Sequence, residues 1–263
     1  MRRKPQRFLV VPLKRNLNNM SNVDIRDNIF YAVGTGPARS EFLTLQAVRV
    51  LEKCSTIFYP VTGKDEKSHI AFDCVCGAID VSKKKCVGVE FSMTRDLDKT
   101  AAEYESFVSQ VEDALLYGDV AMVAIGDVSV YSTAARLAHL VAGHGHKIRF
   151  VAGVTSFCTA ACECSLDLAE RDNEIRIIPG DAFFVGGKIS CVLDDSATKI
   201  FIKSPRHLKD IIVLAAEKHL LEKTYLVQGA GSDNQKIFSG AELACLDESV
   251  FKNSYMSVLI VQG

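Results

Sequence analysis

The chain has 263 residues, 48% of them hydrophobic, and its 31 basic and 32 acidic side chains leave a net charge of -1. This size and composition allow a large buried core, and the balanced charge gives no overall attraction to nucleic acid or to an anionic membrane. No apolar run approaches the roughly 20 residues of a membrane span, so we expect a soluble globular protein with no nucleic-acid or membrane partner.

The N-terminal segment differs from the rest of the chain. It carries six basic side chains and no acidic one before Asp24. An organelle transit peptide has this composition. The alternatives are a flexible tail, or a natural start at Met20 that would leave the basic residues outside the protein. We predict that residues 1–27 form a flexible extension.

The nine cysteines are scattered, and several stand in apolar surroundings. They are expected to be reduced thiols of a cytoplasmic protein. A zinc site is the alternative, but "CVC" at 74–76 and "CEC" at 162–164 lack the two or more intervening residues of the usual zinc-binding pairs. We therefore predict no metal site.

Strand and helix patterns alternate from Asn28 onward. "NIFYAV", "SEFLTLQAVRVLEKC" and "STIFYP" read as strand, amphipathic helix and strand, a βαβ unit typical of parallel sheets. The alternation continues through helix "KSHIAFDCVCGAI", strand "CVGVEF", a long helix from Leu97 to Leu115, strand "DVAMVAI", helix "YSTAARLAHLVAG", strand "KIRFVAG" and the helix start "SFCTAACEC". Residues 28–178 are predicted to form an N-terminal α/β domain.

Strands dominate the remainder of the chain. They are "FFVGGK", "TKIFIKSP", "KTYLVQGAGSDNQKIF" and "SYMSVLIVQG", with one clear helix, "RHLKDIIVLAAEKHLL". We place the boundary at Pro179–Gly180, because a Pro-Gly pair interrupts helix and strand alike. Residues 179–263 are predicted to form a C-terminal α/β domain with a mixed sheet.

Three turns of the first domain directly follow predicted strands: "VGTGPARSEFLT" at 33–44, "IGDVSVYST" at 125–133 and "AGVTSF" at 152–157. Ligands of parallel sheets bind outside the carboxyl ends of the strands, so a binding site is expected there.

The turns taken singly leave alternatives open. The first lacks the third glycine of a dinucleotide fingerprint, and the chain has no glycine-lysine-serine phosphate loop, which disfavours NAD binding and nucleotide hydrolysis. Gly34 and Gly36 could merely shape a turn. Asp127 could accept hydrogen bonds from the amides that follow it or from a ligand hydroxyl, and Ser132, Thr155 and Ser156 could simply cap helices.

Together, in this order and spacing, the turns resemble the tetrapyrrole methylase family. The patterns of that family look like V-G-x-G-P-G-D-P-x-x-L-T, then G-D-P-x-x-Y-S-T, then G-V-T-S-F, and the resemblance extends from Asn28 to Gly263. The segment "VEFSMTRDLDKTAAEYE" is similar to the F-P-M-T-x-D segment of the precorrin-2 and cobalt-factor-II C20-methyltransferases. The alternative is that Thr94 and Asp96 only cap the long helix.

The resemblance implies a class III methyltransferase-like fold of two α/β domains with the ligand cleft between them. It further implies a homodimer that uses S-adenosylmethionine to methylate C20 of precorrin-2 or cobalt-factor II in cobalamin biosynthesis, with S-adenosylhomocysteine as product. By motif match it assigns these residues to donor binding: Gly36, Pro37, Gly126, Asp127, Val130, Tyr131, Ser132, Thr155, Ser156 and Phe157.

The chemistry of the two ligands supports that assignment. The positively charged sulfonium of the donor favours carbonyl groups and Asp127 as neighbours, and the adenine needs an apolar slot, to which Val130 and Phe157 could contribute. The tetrapyrrole carries carboxylates that basic side chains would bind. The candidates are Arg39, Arg95, Lys203 and Arg206. No side chain is assigned as the base for the C20 proton, and water could serve.

The chain departs from the family patterns at three places. Ala38, Arg39 and Ser40 replace Gly-Asp-Pro, Val128 replaces a proline, and Ser92 replaces the proline of the C20-type segment. Two alternatives therefore stay open: a family member with another acceptor, or a non-catalytic S-adenosylmethionine-binding relative. The sequence does not decide whether the acceptor carries cobalt.

Overall fold

The computed structural model describes residues 28–61, 69–91, 97–180, 191–204, 206–252, 254 and 256–263. The first half contains β1 (Ile29–Gly34), α1 (Leu45–Lys53), β2 (Thr56–Pro60), α2 (Ile70–Cys76), β3 (Lys85–Val89), α3 (Leu97–Leu115), β4 (Val120–Ala124), α4 (Thr133–Gly143), β5 (Lys147–Val151) and α5 (Ser156–Glu163). The second half contains β6 (Ile175–Pro179), β7 (Thr198–Ile202), α6 (Leu208–Glu217), β8 (Thr224–Gln228), β9 (Lys236–Ser239), α7 (Glu248–Lys252) and β10 (Ser257–Val261). Within these ranges, none of the helices has the length and apolar character needed to cross a membrane.

The first half forms a sheet with the strand order β3-β2-β4-β1-β5, in which every neighbouring pair is parallel. β1 lies between β4 and β5, so that Ala32 pairs with Met122 on one side and Phe150 on the other. The carboxyl ends of these three strands therefore lie side by side, and the turns that follow them meet at one edge of the sheet.

Helices cover both faces of this sheet. Alternate residues of a strand point to opposite faces, and here the residues on both faces are apolar and need to be covered. Phe30 belongs to a core with Phe107 of α3 and Leu137 of α4. The adjacent Tyr31 belongs to a second core, with α1 and α2. The buried ring of Phe107 also meets the Phe30 ring edge-on, at 6.3 Å between centroids, which fixes α3 against the sheet.

The second half forms a mixed sheet with the strand order β6-β7-β10-β8-β9, in which β6 and β7 are parallel and the other pairs antiparallel. One face is covered by Leu208 and Ile211 of α6. The other face forms an apolar cluster with α5, which we call the junction cluster. Its buried members are Ala160, Ala161, Ile200, Ile202, Val227, Ala230, Val258 and Ile260. The prediction of two α/β units is confirmed, and an apolar contact joins them.

The chain passes from the first sheet to the second before the Pro179–Gly180 pair. Pro179 is the last residue of β6, which among the described strands pairs only with β7 and forms an edge of the second sheet. An edge strand tolerates a proline, since one side of it needs no ladder hydrogen bonds. The change of sheet thus falls between Glu163 and Ile175. The segments 1–27 and "FFVGGK" lie outside the described residues, and the domain limits stay a prediction.

The first helix is shorter than its sequence pattern indicated. A 3-10 turn occupies Ser40–Phe42, and α1 begins only at Leu45. The reason is the cap at Thr44, whose hydroxyl accepts a hydrogen bond of 3.1 Å from the N–H of Ala47. Residues 35–44 are thereby left as a loop at the carboxyl edge of the sheet.

Candidate functional site

Three glycines bring the three turns into backbone contact. A Cβ atom on Gly34 would lie 2.6 Å from the carbonyl oxygen of Gly126 and 2.8 Å from the nitrogen of Gly153. No side chain fits at such separations, so the turns after β1, β4 and β5 touch through their main chains. The close approach of the turns therefore explains a glycine in each of the three motifs.

Gly36 and Gly126 extend this contact by pairing with each other. The N–H of Gly36 donates to the Gly126 carbonyl at 3.2 Å, and the N–H of Gly126 donates back at 2.8 Å. Both adopt left-handed conformations, with φ of +76° and +75°, which residues with a Cβ rarely adopt. Pro37 follows directly and is buried.

Gly126 also borders an open space. The residue itself is buried, yet, apart from Gly126 and its two chain neighbours, no described atom lies within 4 Å of the position that its Cβ would take. A buried main chain that borders free volume at the carboxyl edge of a parallel sheet has the form of a ligand cradle. A small molecule could approach the backbone here more closely than any side chain would allow.

Asp127 joins the second turn to the third. Its Oδ2 accepts a hydrogen bond of 2.8 Å from the N–H of Gly153, and its Oδ1 accepts one of 2.8 Å from the N–H of Ser129 and another from the Ser129 hydroxyl. Burial alone would raise the pKa of Asp127, but these three donors outweigh it and hold the pKa below its ordinary value. The carboxylate is thus ionised at neutral pH and fixed in place.

Helix caps fix the ends of all three turns. Ser132 caps α4 by accepting from the N–H of Ala134 at 3.2 Å, and Thr155 caps α5 by accepting from Cys158 at 3.4 Å. The Thr44 hydroxyl, besides capping α1, donates to the carbonyl of Ala152 at 3.3 Å. Ser156 is the first residue of α5. Capping is therefore one real role of these hydroxyls, and it presents three helix N-termini at the same edge.

Val130 and Phe157 pack against the junction cluster of the second sheet. They stand in the second and third turns, so the apolar part of the site is made by both halves of the chain. Tyr131, between Val130 and the Ser132 cap, is 49% exposed and has a left-handed backbone, with φ of +49°. The assignment of these three residues to the methyl donor stays a prediction.

The second half contributes a loop in which the sequence assigned no site residue, although its "YLVQGAG" resembles a strand-loop motif of the family. A Cβ atom on Gly231 would lie 2.6 Å from the ring of Phe42, so this loop packs directly on the first turn. Gln235 holds the loop, since its side chain accepts from the N–H of Gly231 at 2.6 Å and donates to Glu163 of α5 at 2.9 Å. The other sequence signal was the glycine-rich "QGAGSDNQ" after β8.

The candidate substrate-binding cations lie at different places. Arg39 forms an exposed ion pair of 3.4 Å with Asp233 of the second half and stacks over Phe42, with its Cζ 5.7 Å from the ring centroid. Lys203 follows β7, and its ammonium donates to the carbonyl of Tyr131 at 2.7 Å. Arg206 is exposed shortly before α6, and Arg95 lies outside the described residues.

The histidine pair of the "HGH" segment lies away from these turns. His144 and His146 come just before β5, at the opposite edge of the sheet, and both contact Glu112 of α3, at 3.2 and 3.3 Å. Among the residues that the structure describes, no group of three or more histidine, cysteine or acidic side chains could hold a metal ion.

Fold and candidate site together define a class of protein: a two-part α/β fold in which turns at the carboxyl edge of a parallel sheet meet a second, mixed sheet. Within this class, the model of the tetrapyrrole (corrin/porphyrin) methylases matches residues 30–244. The chain belongs to the tetrapyrrole methylase family, and the family prediction made from its three turns is confirmed.

Relatives and solved structures agree with this assignment. The chain is 29% identical over 236 residues to a protein of Methanocaldococcus jannaschii named "Probable cobalt-precorrin-2 C(20)-methyltransferase", covering 88% of this chain and 95% of that protein. The fold of this chain is similar to that of a cobalt precorrin-4 methyltransferase, with a TM-score of 0.67 at 18% identity over 89% of this chain and 94% of the other. A uroporphyrin-III C-methyltransferase from Thermus thermophilus, solved with S-adenosylhomocysteine, gives a TM-score of 0.62 at 17% identity over 89% and 97%.

Proposed function

We propose that this chain is an S-adenosylmethionine-dependent C-methyltransferase that methylates C20 of precorrin-2 or of cobalt-factor II in cobalamin biosynthesis. Family membership, the relative from Methanocaldococcus jannaschii and the likeness of "FSMTRD" to the C20-type segment support the choice of acceptor. The single observation that carries the proposal is the open cradle beside Gly126, where three turns meet the second sheet.

The cradle fits the methyl donor. At the Gly36–Gly126 pair the main chain carries no side chains, so the donor can approach it closely. The junction cluster, together with Val130 and Phe157, offers an apolar surface for the adenine. The ionised Asp127 places negative charge near the expected position of the sulfonium. We therefore propose that the donor contacts the ten residues assigned to it by motif match, with Asp127 acting through position and charge.

The chain's task is to bring donor and acceptor together. When bound, S-adenosylmethionine supplies a methyl group on a positively charged sulfur and leaves as the neutral sulfide S-adenosylhomocysteine. Holding two reactants in line can lower a barrier by about 7–11 kcal/mol. The turns that fix each other through Gly34, Gly126 and Gly153 give the required rigidity. The proton that leaves C20 after methyl transfer goes to water in this account.

The acceptor is proposed to lie over the same edge, with its carboxylates on basic side chains. Arg39 is the best placed of the described candidates, because it stands on the first turn and reaches toward the second half. Arg206 is the second candidate. Lys203 is the weakest of the described candidates, because its ammonium already donates to the carbonyl of Tyr131.

Two coarser proposals accompany this one. The protein is proposed to be a homodimer, as the family resemblance implies, and light scattering coupled to size-exclusion chromatography measures that. All nine cysteines are free thiols, which supports a reducing compartment such as the cytoplasm.

The test is methyl transfer by the purified full chain. The protein is incubated with S-adenosylmethionine and either precorrin-2 or cobalt-factor II, and the tetrapyrrole is analysed by mass spectrometry and carbon NMR with donor labelled in its methyl group. One added methyl at C20, with one of the two acceptors preferred, is expected. A methyl at another carbon would redirect the assignment within the family, and donor binding without transfer to either acceptor would favour the non-catalytic relative.

A further inference from the structure

Two strained residues meet where the two halves of the chain join. Within the described ranges, only five non-glycine residues have a left-handed backbone, and Tyr131 and Lys203 are two of them, with φ of +49° and +52°. The ammonium of Lys203 donates to the carbonyl of Tyr131 at 2.7 Å, across 72 positions of sequence. Residues held in such conformations persist only where their surroundings fix them, and they concentrate at functional sites.

Both partners are held firmly. Tyr131 stands between Val130, which packs on the junction cluster, and Ser132, which caps α4. Lys203 is followed by the buried Ser204, whose hydroxyl donates to the carbonyl of Ile202 at 2.9 Å. The hydrogen bond between Lys203 and Tyr131 therefore links the end of β7 to the turn that carries Gly126 and Asp127.

The environment of the ammonium supports a fixed role. Loss of hydration lowers the pKa of Lys203. Lys203 is exposed as a whole residue, but its ammonium is partly shielded and donates to the Tyr131 carbonyl, which stands in for part of the lost water.

We propose that Lys203 is a positioning residue for the methyl donor: it holds the 126–132 turn in its binding shape from the second sheet and touches neither donor nor acceptor. This inference rests on the proposed function and replaces the expectation that Lys203 binds substrate carboxylates. Because Lys203 acts through the main chain of Tyr131, its loss should loosen the turn and weaken donor binding. The affinity for the acceptor at saturating donor should stay unchanged.

The experiment compares Lys203→Met, Lys203→Arg and Lys218→Met in the full chain. Methionine keeps an unbranched apolar stem without the donor group, whereas arginine keeps a charged donor. Lys218→Met is the matched control, since Lys218 belongs to the same half and pairs with Asp194 at the far end of α6. Each protein is titrated with S-adenosylhomocysteine by calorimetry, and amide hydrogen exchange of residues 126–132 is followed without ligand.

Lys203→Met should bind S-adenosylhomocysteine about tenfold more weakly, on the scale of one hydrogen bond to a charged group, and should exchange faster at 126–132. Lys203→Arg should recover most of the affinity, and Lys218→Met should match the wild type in both measurements. Lys203→Met with wild-type donor affinity, or with wild-type exchange in the turn, would overturn the inference. A rise in the acceptor KM alone would also overturn it, in favour of a substrate contact.

Failure of the proposed function gives a different pattern. In that case the wild type itself would not bind S-adenosylhomocysteine, while the exchange of residues 126–132 would still report whether Lys203 holds the turn. Absence of wild-type binding would overturn both the function and the donor-positioning role. Wild-type binding that Lys203→Met retains in full would overturn only the inference.

Discussion

Asp127 and Gly153 are joined by a hydrogen bond of 2.8 Å from the Gly153 N–H to Oδ2 of the carboxylate, and this contact ties the turn after β4 to the turn after β5. The other carboxylate oxygen is taken by Ser129. The Gly-Asp pair thus has two separable properties: the glycine lets main chains and a ligand approach closely, and the aspartate locks the turns together.

Replacing Asp127 by asparagine should destabilise the protein at neutral pH by about 1–3 kcal/mol, because the amide group would face donors that now have a carboxylate. The folded-state pKa of Asp127 lies below its unfolded value, so its stabilisation is complete above the ordinary aspartate pKa of about 3.9 and is lost as the pH falls through the folded value. The difference in unfolding free energy between wild type and Asp127→Asn, measured in urea, should therefore shrink below about pH 4. A difference that stays constant to lower pH would contradict the role of the ionised carboxylate.

Removing the carboxylate should also weaken ligand binding. Asp127→Ala is expected to keep the fold and to bind S-adenosylhomocysteine less tightly, because the turn loses its tie to Gly153. Calorimetry with circular dichroism as the check on folding measures this. Unchanged affinity would leave Asp127 a purely structural residue.

Gly153→Ala should disturb the meeting of the three turns. The added methyl group would run into the main chains of Gly34 and Gly126, and overpacking of this kind costs about 1–3 kcal/mol. Gly143→Ala is the control, because Gly143 ends α4 with open space around it and alanine is the better helix former. Thermal unfolding should show a lower Tm for Gly153→Ala and an equal or higher Tm for Gly143→Ala. Equal melting of the two variants would mean that the contact is not as tight as described.

Two variants can distinguish the role of Arg39 from the role of its ion pair with Asp233. Their ion pair is exposed, so its loss should cost at most about 1 kcal/mol of stability. If Arg39 binds an acceptor carboxylate, Arg39→Ala raises the acceptor KM, whereas Asp233→Ala frees the guanidinium and leaves the KM equal or lower. Steady-state kinetics with varied acceptor distinguishes the two. Equal increases in KM for both variants would show that the ion pair itself, and not the arginine, matters.

The cysteines should divide sharply in reactivity. Cys54 and Cys74 are buried, and burial raises their pKa to about 12 and about 11, whereas Cys158 and Cys162 of α5 are exposed. Thiol reagents at mildly alkaline pH should therefore modify Cys158 and Cys162 in the native protein and reach Cys54 and Cys74 only after unfolding. Peptide mapping of the labelled protein reads this out. Rapid native labelling of Cys54 would contradict the packing of α1 on the sheet.

Much of the fold follows from local patterns. The strands around Phe30 and Met122 alternate with helices at short spacing, which is sufficient to predict a parallel sheet and hence the edge where the turns gather. The caps at Ser132 and Thr155 were predictable for the same reason, since a hydroxyl before a helical pattern is a local signal.

The long-range contacts of the site had no such signal. Arg39 and Asp233 are 194 positions apart, and Lys203 and Tyr131 are 72 apart, so no periodicity links them. The sequence therefore suggested Lys203 as a substrate contact, because a lysine near a cleft carries charge but does not reveal its acceptor. The start of α1 was misjudged for a local reason: Ser40 and Thr44 are both possible caps, and only the geometry selects Thr44.

The most direct test of the central claim is a calorimetric titration of wild type, Gly126→Ala and Gly145→Ala with S-adenosylhomocysteine. Both glycines have a left-handed backbone, with φ of +75° and +94°, and an added Cβ would have no described atom within 4 Å beyond the glycine and its chain neighbours, so the two substitutions strain the chain alike. Only Gly126 borders the proposed cradle, whereas Gly145 lies in the turn between α4 and β5 at the opposite edge. We expect saturable binding by the wild type and Gly145→Ala, and a loss of affinity of tenfold or more, about 1.4 kcal/mol, for Gly126→Ala. Equal affinity of all three proteins, or no binding by the wild type, would contradict the claim that these turns form the methyl-donor site.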